Sequence, residues 1–320
     1  MNKTLPIILI SFVLSSLLWV DIKNSYIWIV LSITLGFGAL GFIDDYFNSA
    51  YYDREQGQKP LLLKLSLLQP HYPYQTDHEK FTYYLNRVHP YLNQNVFEHP
   101  FLRQRCVIPG KDLSERELRR AVAAYYGMVE TIDDHYQSVL SALEHVGQNL
   151  DEWIIIYTSD HGEMLGQHGI WEKQKFFEAS ARVPLIIRFP QHFEPITVRE
   201  NVNLCDLFAT LCDLVDIPCP SGLDSRSLVS LMTGQNDDWS NETVSQFGST
   251  NLMIKQDHLK YQYYGRNGPE VLFNLKIDPS ETKNFIDHPD YTDAVQQFRQ
   301  RLSQLGHGPD ADAAYINAGD

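Results

Sequence analysis

The segment that most constrains the fold is Trp153-Ile154-Ile155-Ile156-Tyr157-Thr158, an unbroken row of β-branched and aromatic residues. Such a row is stable when buried on both faces, as in a sheet covered by helices. It ends abruptly in Ser159-Asp160-His161-Gly162. A carboxylate and an imidazole on consecutive loop residues can both reach one divalent cation, and Gly162 lets the backbone turn away. The stretch Glu163 to Glu178 follows, with Lys173 and Lys175 among aromatic neighbours. A lysine held there can bind one oxygen of a tetrahedral ester and balance charge as the leaving group departs. The pattern therefore predicts an α/β fold with its chemistry at the carboxyl end of a strand.

Two further runs join that strand. Leu61 to Leu68 reads as a buried strand ending at Gln69-Pro70-His71-Tyr72-Pro73-Tyr74, where the prolines force an extended turn and set His71 at the strand edge. Leu185 to Arg188 is the other. The three are expected to be neighbours in one mixed or parallel sheet with helices on both faces.

Residues 75–112 show only weak periodicity and read as irregular. Ser114, with Glu117 three residues on, caps a helix whose apolar positions run from Val122 to Leu143. Asp133 and Asp134 inside it read as a salt-bridged polar face rather than a metal pair. Asn203 to Leu214 forms a second helix with Leu204, Leu207, Phe208 and Leu211 on one face. Cys205 and Cys212 pack there rather than react. Beyond Glu242, the runs Thr243 to Phe247, Leu252 to Lys255, Tyr261 to Tyr264 and Val271 to Leu275 predict a small antiparallel sheet, followed by a helix from Tyr291.

Charge narrows the partners. Lys plus Arg at 26 against Asp plus Glu at 40 leaves a net charge of −14, with no basic run dense enough to track a phosphate backbone. Nucleic acid is excluded, and an anionic ester would need cations gathered locally. The cysteines are too sparse and badly spaced for a disulfide scaffold or a structural zinc.

The first residues differ from all that follows. Leu5 to Val20 and Tyr26 to Ile43 are apolar, separated by the polar turn Asp21 to Ser25, and predict a transmembrane hairpin over residues 1–48. A signal peptide for the first run and a buried core helix for the second are the alternatives. Asp44-Asp45 follows directly, and two carboxylates at a membrane helix end could hold magnesium against a diphosphate. The stretch from Leu5 to Tyr46, including Gly41-Phe42-Ile43-Asp44-Asp45-Tyr46, resembles an internal segment of phospho-N-acetylmuramoyl-pentapeptide transferase. That resemblance implies a bacterial inner membrane; the side on which the soluble part lies stays open, the cytoplasmic one being favoured. The basic residues, further helices and later aspartates of that family are absent, so no working transferase is expected.

From about residue 53 the chain resembles the carboxyl-terminal part of a sulfatase of the alkaline-phosphatase superfamily. The resemblance is carried by Gln69 to Tyr74, Tyr126-Gly127-Met128-Val129-Glu130, Ser159 to Gly166, Lys173 to Ile186 and Leu272 to Pro279. It implies a partial sulfatase α/β domain over 53–241 and a carboxyl-terminal subdomain and tail over 242–320. It also implies a sulfuric-ester hydrolase with a small sulfate-ester substrate and a divalent cation, calcium. Asp160 and His161 occupy the positions of metal ligands. His71 and Lys173 occupy those of the sulfate-binding histidine and lysine, with Lys175 as the fallback lysine. The family's nucleophile is a formylglycine made from a Cys-x-Pro/Ser-x-Arg motif, which neither Cys106 nor Cys219 matches. The expectation is thus a sulfatase by family, catalytically incomplete as written and weakened in calcium binding. A phosphonate or phosphodiester hydrolase of the same superfamily and a non-catalytic membrane-tethered fragment remain as alternatives.

Overall fold

The computed structural model describes residues 63–91, 97, 99–107, 110–235 and 238–311. The chain divides into Met1–Ser66 and Leu67–Asp320. Of the first unit only residues 63–66 are described, and they form neither helix nor strand. The hairpin expected over 1–48 and Asp44-Asp45 lie outside the described residues. Among the described residues no helix is long and apolar enough to cross a membrane.

In the second unit, helix α1 (His78–Leu85) begins where the Asp77 carboxylate accepts from the Lys80 N–H at 2.9 Å. The sequence reads this stretch as irregular. The helix has no fully buried residue, and its inward face is the single short set Phe81, Tyr84 and Leu85, packed against the cluster of Val88 and Val122, which is too brief a stripe to stand out in the sequence. Helix α2 (Glu115–His145) starts at the expected cap: Ser114 and Glu117 each accept the other's backbone N–H, closing a capping box. Lys80 of α1 reaches across to Thr131 and Asp134 of α2, so Asp134 belongs to a salt-bridged polar face.

Strand β1 (Ile155–Thr158) and strand β2 (Leu185–Arg188) flank the short helix α3 (Glu178–Ala181). They pair antiparallel, from Ile155 opposite Arg188 to Thr158 opposite Leu185, as a two-stranded ribbon. This corrects the expected mixed or parallel sheet. The chain turns back between these strands without a crossover that would deliver β2 parallel to β1. Residues 63–68 do not join them as a strand, and Leu68 is 84% exposed. An apolar run becomes a strand only with a ladder beside it, and no strand runs alongside it among the described residues.

Helix α4 (Asp206–Leu214) is as expected, but its buried residues are Asp206, Ala209 and Thr210, while Phe208 is exposed. The rotation has a polar cause. The Asp206 carboxylate accepts from Asn203 N and Arg226 N, and the Thr210 hydroxyl accepts from Leu228 N, so hydrogen bonds hold this face inward. After the short helix α5 (Val229–Met232) comes a four-stranded antiparallel meander of β3 (Glu242–Phe247), β4 (Asn251–Gln256), β5 (Leu259–Tyr264) and β6 (Glu270–Asn274). Its strands follow the sequence pattern closely. Helix α6 (Thr292–Gln304) covers one face with Val295, Phe298 and Leu302 against Leu252, Ile254, Tyr261, Tyr263 and Leu272. The other face buries Met253, Tyr264, Val271 and Phe273 against Met164, Phe176 and Phe177. Alternate residues of each strand thus serve different cores, and the second core contains the segment just past Lys173.

Candidate active site

Asp160 and His161 follow β1 directly. The Thr158 hydroxyl donates to Pro184 O at 2.9 Å, tying the end of β1 to the start of β2. Gly162 N–H donates to Ser180 O at 2.8 Å, and a Cβ at Gly162 would lie 2.0 Å from Ala179 O. Only glycine permits this approach of the loop to α3. Asp160 Oδ1 accepts from His161 N–H, and Oδ2 lies 3.6 Å from His161 Nε2. With His161 Nδ1 donating to Gly162 O at 2.8 Å, Nε2 is left with its lone pair beside that oxygen. The Asp160 side chain is 84% exposed.

His71 stands in the Gln69–Tyr74 turn. Its Nδ1 is 2.8 Å from Tyr72 O, and its Nε2 is 2.9 Å from Lys173 Nζ, a contact across 102 residues of chain. When Nδ1–H donates to the carbonyl, Nε2 accepts from the lysine ammonium. The Lys173 ammonium also lies 5.7 Å from the Tyr72 ring centroid. Asp160, His161 and Lys173 line one open cleft of about 2330 Å³, with Lys175, Glu178 and Arg182. Of the four residues singled out by the sequence, Asp160, His161 and Lys173 share the lining of this cleft, and His71 contacts Lys173.

Glu163, to which the sequence assigned no role, connects these parts. Its carboxylate accepts from Glu172 N–H at 2.6 Å, next to Lys173, and from the Tyr74 hydroxyl, in the turn of His71. Burial pushes Glu163 above the usual carboxylate range, against the opposing hydrogen bonds from Leu165 N–H and the Tyr74 hydroxyl. Burial likewise pushes Tyr74 up, with Glu163 adding to it. Lys175, the fallback lysine, is 4% exposed, with its ammonium 4.4 Å from the Phe101 ring centroid. Burial, and secondarily Arg105, brings it down to about 8. The structure thus sets Lys173, not Lys175, against His71.

The donor set does not complete a calcium site. Asp160 Oδ2 and His161 Nε2 are two donors, whereas calcium takes about 6–8, mostly oxygen. No group of three or more His, Cys, Asp or Glu residues able to hold a metal occurs among the described residues.

Comparison with known proteins now adds to this geometry. The family model described as Sulfatase matches residues 40–217, and the one described as N-sulphoglucosamine sulphohydrolase, C-terminal, matches residues 166–308. An arylsulfatase of Clostridium perfringens is 30% identical over 264 residues, covering 78% of this chain and 54% of its own length. A choline-sulfatase of Rhizobium meliloti is 30% identical over 250 residues, covering 73% and 48%. The chain spans about half the length of these curated relatives. The crystal structure of a phosphonate monoester hydrolase of Agrobacterium radiobacter superposes with a TM-score of 0.66 at 24% identity, covering 82% of this chain and 59% of that one, which shows a common fold. The chain belongs to the sulfatase family.

Proposed function

We propose that these residues form the anion-binding part of a sulfuric-ester hydrolase site, with Lys173 and His71 holding the sulfate and Asp160 and His161 lending two donors toward a cation. The observation that carries this reading is the 2.9 Å approach of Lys173 Nζ to His71 Nε2. The Lys173 ammonium keeps N–H donors beyond the one given to His71, and proton uptake at His71 Nε2 as a tetrahedral anion enters would add a second donor. A sulfate oxygen inserted there replaces a weak cation–imidazole contact with a charge-assisted bond. By family membership the complete reaction also needs a formylglycine nucleophile and a filled calcium sphere. Cys106 and Cys219 both lack the arginine of the formylglycine motif, so this chain binds the anion without turning it over.

Calorimetric titration with inorganic sulfate, beside an aryl-sulfate hydrolysis assay, tests this. Wild type is expected to bind sulfate and Lys173→Ala to bind it about tenfold or more weakly, the loss of one charge-assisted hydrogen bond. Hydrolysis is expected to stay at background. Unchanged sulfate affinity in Lys173→Ala removes the anion site, and turnover abolished by that substitution shows that another residue is the nucleophile. A phosphonate monoester, titrated in parallel, decides between the sulfate and phosphonate branches of the superfamily.

A further inference from the structure

The backbone around Lys173 is strained, and one strand grips it from behind. Glu172 and Gln174, on either side of Lys173, hold φ of 68° and 95°. Non-glycine residues keep such left-handed values only where their surroundings over-determine them. Glu163 fixes the entering side through Glu172 N–H. The leaving side is fixed by β5, whose alternate residues Lys260, Gln262 and Tyr264 share a face.

Each of the three has a directional contact with the segment after Lys173. Tyr264 Oη accepts from Phe176 N–H at 3.0 Å and donates to Gln262 Oε1 at 2.7 Å. Gln262 Nε2 donates to Phe176 O at 3.1 Å. Lys260 Nζ donates to Glu178 Oε1 and Glu281 Oε1, both at 2.9 Å, and Glu281 Oε2 accepts from Glu178 N–H at 2.6 Å. All three row residues are buried. An apolar row would hold this segment by contact alone and tolerate sliding. A satisfied polar row fixes both amide groups of Phe176 at once, because any shift leaves buried donors and acceptors unpaired. The intervening residues Tyr261 and Tyr263 face α6 instead, where Tyr261 stacks on Phe298 at 5.4 Å and 6°.

We propose that the β5 row Lys260, Gln262 and Tyr264 positions Lys173 against His71 and thereby sets the affinity of the site for a tetrahedral anion. The proposal rests on the anion-site reading above. These are positioning residues: they act through the backbone of Phe176 and Glu178 and touch no substrate.

The test uses the full chain labelled with 15N-histidine, with the His71 ring signals identified by their loss in His71→Gln. They are recorded first without anion and then during titration with inorganic sulfate. Tyr264→Phe removes the hydroxyl and keeps the ring, Gln262→Met is a second variant of similar length, and Phe298→Leu loosens the opposite face of the same sheet. Either row variant is expected to shift the His71 signals in the anion-free protein and to weaken sulfate binding about tenfold, as the loss of one buried hydrogen bond would. Phe298→Leu is expected to lower the denaturant midpoint while leaving both readouts in place. Unmoved His71 signals in a folded row variant overturn the positioning role, as does an equal shift in Phe298→Leu. Absence of sulfate binding in wild type overturns the anion-site reading, and the anion-free signals still decide the positioning.

Discussion

The two sheets of this molecule are built to different standards. In the β1–β2 ribbon no residue is fully buried, and β2 alternates half-buried with exposed positions. In the β3–β6 meander, β5 and β6 are buried almost throughout and β4 over its middle, and together they serve a core on each face. Yet Asp160 and His161 emerge from the weaker ribbon. The site therefore takes its rigidity from the meander, through the segment from Phe176 to Glu178, and not from the strand that leads into it.

The largest effect expected from that contrast lies at Lys260. Its ammonium sits fully buried between Glu178 and Glu281. Burial raises Glu281 despite this lysine, whereas Glu178 is held below the usual range because Lys260 and Lys255 outweigh its own burial. Lys260→Ala would leave two carboxylates without their shared cation, and breaking a buried pair in this way costs about 3–5 kcal/mol. Denaturant unfolding of the purified variant measures it, and a cost below about 1 kcal/mol would break the comparison.

Lys175 is the opposite case, a buried lysine with no carboxylate paired to it among the described residues. Its folded value, about 8, lies below the ordinary 10.5. Between those values the unfolded chain holds a proton that the folded chain has released, so stability rises with pH across the window; below it the full penalty of the buried charge applies. Lys175→Met should therefore be more stable than wild type at neutral pH, by up to about 3 kcal/mol. The difference should shrink as pH rises toward the ordinary lysine value. Paired unfolding curves across that range check it, and a difference independent of pH would mean that the gain is packing alone.

What could be read in advance follows the same division. The meander was legible strand by strand, because alternation and turn residues are local signals, and so was the Ser114 to Glu117 cap. The extents of β1 and β2 were legible as well, but not their antiparallel pairing, which depends on where the intervening loop goes. Within the run Leu61 to Leu68, residues 63–68 were misread because an apolar run does not reveal whether a partner strand lies beside it. The face of α4 was misread because Asp206 and Thr210 are buried through hydrogen bonds that hydrophobicity does not register. In the site, the partnership of His71 and Lys173 was reachable only through family resemblance, since nothing local relates residues 102 apart. Glu163 and Glu281 carried no spacing signal. The β5 row did carry one: Lys260 and Gln262 at alternate positions of an otherwise apolar, tyrosine-rich strand, where a polar side chain implies a specific buried partner.

The smallest effect is expected on the exposed side of β2. Ile186 is 59% exposed although it sits in a strand opposite Tyr157. Ile186→Thr keeps the branched Cβ, so strand preference changes little and the measurement isolates burial. With more than half of the side chain already in water, the substitution should change stability by no more than about 0.5 kcal/mol, as for other surface positions. Ile254→Val in β4, which removes a single methylene from a fully buried site, should cost about 0.5–1.5 kcal/mol. Denaturant midpoints for the two variants give the comparison directly. A cost at Ile186 above that at Ile254 would show that the ribbon face is covered in solution, and the ribbon would then have to be counted with the meander as part of the rigid frame.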